Sequence, residues 1–387
     1  MHKNLSSIEV ECECGAIHEL MAMSVEANSF SSLISCLREN NIKMVRILCS
    51  CKFVDDEEIN RLIIELKKQG IKFFVTKVPY SVAELFAISK LVYKNEDYVI
   101  AYGDAFVYEM AKYYAYSIGV NLSFILTSEF YDFTFSKFAR VYDGITFNFY
   151  VTTAPECVVY FDNALSNIDI LWLKKYLTFK ELAYFENILS LRIDEKSICS
   201  KINSKLLKII KNINKIYKPV SLINACIFLG RAMSFFNQTK SFFSSELELS
   251  NMLEILSKSE LKNCYLVSGK CINLLYLAGL ESNLKVLGLN LNKRIDNVKR
   301  ELSLTAIKCL AIIKKPKTND FLLKTTRIIK ALKYMLMGLL NERASADNVS
   351  KISRRELSLA LYITPETTSR YTFLNLLRDL GYLENLI

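Results

Sequence analysis

Residues 98–106, YVIAYGDAF, join a short run of β-branched and aromatic residues to the start of a helical pattern. Four similar runs lie between residues 45 and 161, and helical patterns separate them. Strands that alternate with helices predict βαβ units and a parallel sheet covered by helices, as in doubly wound domains of the nucleotide-binding type. The other four runs are residues 45–49, 72–76, 122–126 and 157–161.

The apolar spacing changes after about Ser166. In residues 202–216, for example, apolar side chains recur every three or four positions, which is typical of packed helices. We therefore expect an α/β, Rossmann-like domain over residues 1–165 and an all-α domain over residues 166–387. Prolines predict helix boundaries near Pro219, Pro316 and Pro365.

The composition indicates a globular protein, with 51% hydrophobic and 23% charged residues. The longest apolar stretch, residues 264–280, contains Lys270 and Asn273, so no membrane span is expected. Residues 1–15 are polar and acidic and do not resemble a secretory signal. Most of the 11 cysteines lie in apolar segments, as free thiols do in a reducing compartment. We expect a cytoplasmic protein.

The net charge of +10 could attract nucleic acid or anionic lipid. The lysines are scattered along the chain, however, and we expect no nucleic-acid partner. Residues 200–218 interleave lysine with isoleucine. This pattern is typical of a packed helix with a solvated lysine face, and also of a helix on a membrane surface or against a partner.

Four segments carry a resemblance to a known family. They are residues 12–18 (CECGAIH), 99–106 (VIAYGDAF), 127–136 (TSEFYDFTFS) and 369–381 (SRYTFLNLLRDLG). In these motifs the chain resembles, over essentially its whole length, the sn-glycerol-1-phosphate dehydrogenases, relatives of dehydroquinate synthases and iron-containing alcohol dehydrogenases. The resemblance implies a dehydroquinate synthase-like fold and an oligomer, with itself or with a related chain.

The resemblance also implies where a nucleotide would lie. Members of this family bind NAD(P) at two glycines that end a strand, and only Gly103 remains here. Asp104 and Phe106 place a like charge and a bulky ring where phosphate would lie, so we expect NAD(P) to bind weakly or not at all. The implied nucleotide contacts are Gly103, Asp104, Ala105, Thr127, Ser128 and Ser136, and Asp132 would face the substrate.

The metal site of the family does not recur in this sequence. These enzymes hold a zinc-like ion with one Asp and two His of the helical domain. The chain has two histidines, His2 and His18, and both precede the first of the five predicted strands. The matching positions are Phe179, Leu247 and Ser268, with Cys264 as an alternative to Ser268 and Asn251 at a histidine that faces substrate. No divalent metal is expected there.

Three functions remain open from the sequence. The leading one is a pseudoenzyme that binds a small phosphorylated metabolite, a nucleotide or a protein partner. The second is an active dehydrogenase for glycerol 1-phosphate, dihydroxyacetone phosphate or a related polyol. It would use a rearranged metal site, for which Glu246, Glu248, Asp169 and Cys264 are candidates. The third is an interaction protein whose cleft is filled by Phe106, Phe130, Phe133 and Phe179.

Overall fold

The computed structural model divides the chain into two compact units, Met1–Leu173 with Lys215–Thr239, and Lys174–Asn214 with Lys240–Ile387. The predicted boundary between residues 165 and 166 stays a prediction. The structure describes residues 7–11, 17–78, 88, 91–127, 130–144, 146–166, 168–170, 172–173, 176–177, 218–237, 239, 242–243, 245–281, 352–367, 372 and 374. The element labels below count only elements in these residues.

The first unit contains a six-stranded parallel sheet. Its strands are β3 (Ser24–Ala27), β4 (Met44–Ser50), β5 (Lys72–Val78), β6 (Tyr98–Gly103), β7 (Asn121–Leu126) and β10 (Cys157–Tyr160). Their order across the sheet is β3-β10-β7-β6-β4-β5. All five predicted strands are confirmed. The edge strand β3 was missed because it has only four residues, SVEA, which are mostly exposed and include a serine and a glutamate.

Helices cover both faces of this sheet. Helices α1 (Ser31–Glu39) and α2 (Glu57–Lys68) bury Leu33, Leu37, Leu62 and Leu66 in a core with alternate residues of β4, β6 and β10. Helix α3 (Ala105–Ile118) packs on the other face, where the rings of Tyr108 and Phe124 lie 4.8 Å apart. Central strands buried on both faces explain the continuous apolar runs of the sequence.

Two antiparallel hairpins and two further helices complete the described part of the first unit. The hairpins are β1 (Ser7–Glu11) with β2 (Ile17–Met21), and β8 (Phe138–Tyr142) with β9 (Phe147–Val151). The helices are α4 (Asp162–Ser166) and α5 (Pro219–Phe235). Helix α5 begins at Pro219, as predicted, because the first helical position needs no N–H donor.

The described part of the second unit is helical. It contains α6 (Ser245–Ser257), α7 (Leu261–Glu281) and α8 (Arg354–Thr367). The predicted helix boundary at Pro365 is wrong, because α8 continues through this proline for two more residues. Pro365 has no N–H to donate to the carbonyl of Leu361, so the helix lacks this hydrogen bond near its end. Pro316 and residues 200–217 lie outside the described residues.

Candidate functional site

The strand order places a topological switch point between β4 and β6. The chain runs from β4 outward to β5, then returns to the opposite side of β4 and continues through β6 and β7. In open α/β sheets, ligands bind at the carboxyl ends of the strands where the order reverses. The carboxyl ends of β4 and β6 are Ser50 and Gly103, so the predicted nucleotide segment lies at this switch point.

Gly103 is required by packing within the protein. A Cβ at this position would lie 2.9 Å from Ser50 Cβ and 3.0 Å from Val107 Cγ2. Such distances are shorter than real carbon contacts, so the space above the glycine is already occupied. In dinucleotide-binding domains the corresponding glycines leave room for the pyrophosphate. At Gly103 the side chains of Ser50 and Val107 lie beside the place that a Cβ would take.

Asp104 forms the N-cap of α3. Its Oδ1 accepts the backbone N–H of Val107 at 3.2 Å, and its Oδ2 accepts the hydroxyl of Ser50 at 3.3 Å. The residue is only 2% exposed, and burial raises the pKa of its carboxyl. A carboxylate therefore occupies the end of the helix that attracts anions. Ala105 follows as the first helical residue.

Thr127, at the end of β7, is also bonded internally. Its hydroxyl donates to the carbonyl of Gly103 at 2.5 Å, and its N–H donates to Tyr108 Oη at 3.0 Å. Thr127 is 5% exposed. The structure brings Gly103, Asp104, Ala105 and Thr127 together at the same edge of the sheet. Ser128, the next predicted contact, lies outside the described residues.

Asp132 and Ser136 lie in a buried turn that begins after the carboxyl end of β7. Oδ1 of Asp132 accepts the N–H of Phe133 at 3.0 Å. The hydroxyl of Ser136 donates to the carbonyl of Phe133 at 2.8 Å and accepts the N–H of Phe138 at 3.1 Å. Both residues are 0% exposed. These hydrogen bonds are made to residues of the turn or next to it, and they stabilise its conformation.

The turn is anchored by a buried lysine that the sequence analysis did not single out. Nζ of Lys112, on α3, donates to the carbonyls of Phe133 at 2.8 Å and Phe138 at 2.5 Å. It also pairs with Oε1 of Glu109 at 2.8 Å. Burial lowers the pKa of the Lys112 ammonium and raises that of the Glu109 carboxyl. Sequence reasoning could have found this pair from two ionisable residues three positions apart on a helix of otherwise mostly apolar residues.

Helix α5 packs on the same turn. A Cβ added to Gly230 would lie 2.4 Å from the carbonyl oxygen of Asp132, and the hydroxyl of Ser234 accepts the N–H of Lys137 at 2.8 Å. The backbone of the helix therefore lies directly on the turn. The sequence could have indicated this contact through Gly230 and Ser234, which lie one helical turn apart in a mostly apolar helix.

Aromatic side chains fill the surroundings of this turn. Phe130 and Phe133 are 3% and 1% exposed, and the ring of Tyr131 lies 5.1 Å from that of Phe133 and 5.3 Å from that of Trp172. That Phe130 and Phe133 fill a ligand cleft stays a prediction. Phe106 is partly exposed on the first turn of α3, and Phe179 lies outside the described residues.

The positions predicted for the family metal lie in the second unit. Leu247 on α6 and Ser268 on α7 are 1% and 0% exposed, and Asn251 is 3% exposed. A leucine has no donor atom for a metal, and an uncharged serine hydroxyl is not among the usual zinc ligands. Within the described ranges, no group of three or more His, Cys, Asp or Glu side chains is arranged to hold an ion.

The acidic candidates for a rearranged metal site have other contacts. Oε1 of Glu246, which is 0% exposed, accepts the hydroxyl of Tyr265 at 3.1 Å. The thiol of Cys264 lies 3.6 Å from the carbonyl of Ser259. In the first unit, Oδ1 of Asp169 accepts the N–H of Trp172 at 2.9 Å. Glu248 is partly exposed on α6.

His18 is a packing residue. It lies on β2, is 4% exposed, and its ring is 4.9 Å from that of Phe235 and 5.1 Å from that of Phe236. The imidazole thus joins the hairpin to the end of α5. His2 lies outside the described residues.

Comparison with solved structures decides the fold. An iron-containing alcohol dehydrogenase from Corynebacterium glutamicum matches with a TM-score of 0.55 and 10% identity, over 96% of each chain. The fold is that of the iron-containing alcohol dehydrogenases. The NADH-dependent butanol dehydrogenase A of Thermotoga maritima matches with a TM-score of 0.56 and 10% identity, over 94% of this chain and 96% of its own.

A 1,3-propanediol oxidoreductase matches the iron-containing alcohol dehydrogenase fold of this chain equally well. The TM-score is 0.57 and the identity 9%, over 95% of this chain and 98% of the other. No protein-family model matches the sequence, and no curated protein is detectably similar to it. Among the described residues, no helix is both long and apolar enough to cross a membrane.

Proposed function

We propose that this chain is a degenerate sn-glycerol-1-phosphate dehydrogenase-like protein, without metal-dependent oxidoreductase activity, that serves as a binding or regulatory subunit. One observation carries the proposal. By the resemblance of the sequence, Leu247 and Ser268 match positions of the family's metal ligands, with Cys264 as the alternative to Ser268, and all three side chains are buried. The sequence has only one histidine besides the terminal His2, and that residue, His18, is packed between phenylalanine rings.

The chemistry explains why these replacements matter. A catalytic zinc-type site needs about three protein ligands and an open position. The ion would polarise the substrate oxygen, while hydride is transferred at the carbon that bears this oxygen. Leucine supplies no lone pair, and a serine hydroxyl at neutral pH is a weak ligand. Without the ion, the negative charge that develops on the substrate oxygen loses the group that stabilises it in the family.

The test is metal analysis of the purified protein, with fluorescence titration by NADH and NADPH. We expect much less than one zinc, iron or nickel ion per chain, and no NAD(P)H-dependent reduction of dihydroxyacetone phosphate. One tightly held ion per chain together with turnover would refute the proposal. Size-exclusion chromatography in the same preparation would establish whether the chain forms an oligomer.

A second candidate is an active NAD(P)-dependent oxidoreductase with a rearranged site. It is favoured by the structural neighbours, which are alcohol dehydrogenases and a propanediol oxidoreductase matched over nearly the whole chain. Its most plausible donor is the buried carboxylate of Glu246. If this site is used, Glu246→Gln abolishes both metal binding and turnover. A pseudoenzyme has neither property, so the same change has no effect on either.

The binding role leaves two kinds of ligand, a small phosphorylated metabolite and a protein partner. The buried, internally bonded polar groups of Asp104, Thr127 and Ser136 favour the partner, because few polar groups remain to recognise a small molecule. Thermal-shift screening with phosphorylated metabolites would separate the two. A stabilised protein would favour the metabolite, and co-purification of a related chain at fixed stoichiometry would favour the partner.

A further inference from the structure

We infer that Asp104 is an internal anion that excludes phosphorylated nucleotides from the switch point of the sheet. This inference deepens the proposed function, because it names the ligand class that the altered site rejects. The residue stands at the position where the fold of this chain would place a dinucleotide pyrophosphate, at the carboxyl end of β6 and the N-terminus of α3. The residues present do not fit that group.

Geometry gives the first reason. A phosphate at this place would be bound by backbone N–H groups of the first helical turn. The Val107 N–H is already directed at Oδ1 of Asp104. Burial raises the pKa of this carboxyl, and the backbone N–H groups of Val107 and Phe106 partly offset that rise. The carboxylate therefore substitutes for the oxyanion of a ligand.

Packing gives the second reason. The side chains of Ser50 and Val107 lie against Gly103, where an added Cβ would meet both of them, so the start of α3 is packed against the end of β4. Oδ2 of Asp104 accepts the hydroxyl of that same Ser50, which ties the ends of β4 and β6 to each other. The carboxylate thus belongs to the packing of the sheet edge and is only 2% exposed.

Charge gives the third reason. Two like charges about 4 Å apart near a protein surface repel by several kcal/mol, and the repulsion grows where water is excluded. The positive charge of Lys52 favours the ionised form of Asp104, because it lowers the pKa of this carboxyl against the effect of burial.

The test compares the unaltered protein with Asp104→Asn and Asp104→Gly by isothermal titration calorimetry. The probes are ADP, inorganic phosphate and adenosine. Asparagine removes the charge and keeps a cap of nearly the same shape, so folding is expected to persist, and glycine also frees the Val107 N–H. We expect ADP and phosphate to bind at least about tenfold more tightly to both variants, most tightly to Asp104→Gly, with adenosine unchanged.

Asp97→Asn is the matched control. Asp97 also caps backbone N–H groups, those of Lys43 and Met44 at 3.0 Å, but it lies at the amino edge of the same sheet. It changes the net charge equally and should gain no ADP binding. An equal gain in this control, no gain in the folded Asp104 variants, or tight ADP binding by the unaltered protein would each overturn the inference.

The outcomes for the two proposals are separable. ADP binding by the unaltered, metal-free protein would overturn the role of Asp104 and leave the loss of metal chemistry standing. A tightly held metal ion in a protein that binds neither ADP nor NAD(P)H would contradict the loss of the metal site and leave the role of Asp104 standing.

Discussion

Gly230 on α5 lies directly against the backbone carbonyl of Asp132, so that an added Cβ would approach the carbonyl oxygen to 2.4 Å and Phe135 C to 2.8 Å. Both atoms belong to the backbone and cannot turn aside. We predict that Gly230→Ala destabilises the protein by about 1–3 kcal/mol, although alanine is the better helix former. Urea unfolding followed by circular dichroism measures this change.

Asn224→Ala is the control for the first prediction. Asn224 is exposed on the same helix, and the change improves helix propensity without a new contact. It should be neutral or slightly stabilising. If Gly230→Ala behaves in the same way, α5 does not pack on the turn as described.

The second prediction concerns the buried pair on α3. Lys112→Met leaves the Glu109 carboxylate buried and removes the donor to the carbonyls of Phe133 and Phe138. We expect a loss of about 3–5 kcal/mol in the free energy of unfolding, because the buried Glu109 carboxylate loses its ion pair and keeps only the N–H and the charge of Arg140. Thermal and denaturant unfolding give the value.

A surface pair of the same spacing provides the comparison. Lys68 and Glu65 pair at 2.6 Å on α2, with side chains 61% and 36% exposed. Lys68→Met should change the stability by no more than about 1 kcal/mol. A similar cost for Lys68→Met and Lys112→Met would contradict the assigned role of Lys112.

The third prediction is a difference in pH dependence between two carboxyls near the amino edge of the sheet. Burial raises the pKa of Glu156, and the hydrogen bonds from Tyr98 and Cys36 only partly offset it. The folded state then retains the proton above pH 4.5, where the unfolded chain has lost it. The stability that Glu156 contributes is therefore lost as the pH rises through the folded-state pKa.

Glu96 has the opposite sign. Burial alone would raise its pKa, but hydrogen bonds from Arg46, Tyr114 and backbone N–H groups lower it overall. The stability that Glu96 contributes is present above pH 4.5 and is lost as the pH falls through the folded-state pKa. Unfolding free energies of Glu156→Gln and Glu96→Gln, each subtracted from those of the unaltered protein across pH, should have slopes of opposite sign. Slopes of equal sign would refute the assignment.

The fourth prediction concerns the second unit. Tyr265→Phe removes the donor to the buried Glu246 carboxylate and should cost about 1–3 kcal/mol. A double-mutant cycle with Glu246→Gln should give a coupling of at least about 0.5 kcal/mol. Tyr362→Phe on α8, where the side chain is 63% exposed, should stay within about 0.5 kcal/mol of the unaltered protein. No coupling in the cycle would mean that the hydrogen bond contributes little.

The sheet could be predicted because its central strands are buried on both faces. Every residue of β6 is buried, and such strands appear in the sequence as unbroken apolar runs. Hairpin β8–β9 was missed because its strands contain Arg140 and Asn148, which break the apolar pattern. Arg140 lies with its guanidinium 3.5 Å from the ring centre of Phe147, a contact that no spacing rule predicts.

The sequence predicted where the candidate site lies in the sheet, but not how its side chains are packed and bonded. The sequence placed Gly103, Asp104 and Thr127 at strand ends, and the register of the parallel sheet then brings them together. It gave no sign that Ser50 fills the space above Gly103, because the two residues are 53 positions apart and meet only through the pairing of β4 with β6. The role of Lys112 depends in the same way on a turn more than 20 residues away.

Helix α5 makes the first unit discontinuous along the chain. The turn at Asp132 and the ring of His18 are covered only when residues 219–235 have arrived. On the ribosome, where chains emerge from the N-terminus, the sheet strands are complete at Tyr160, whereas α5 ends only at Phe235. The unit that begins the chain can therefore not be finished until residue 239 has been made, and the apolar turn is open to chaperones in the interval.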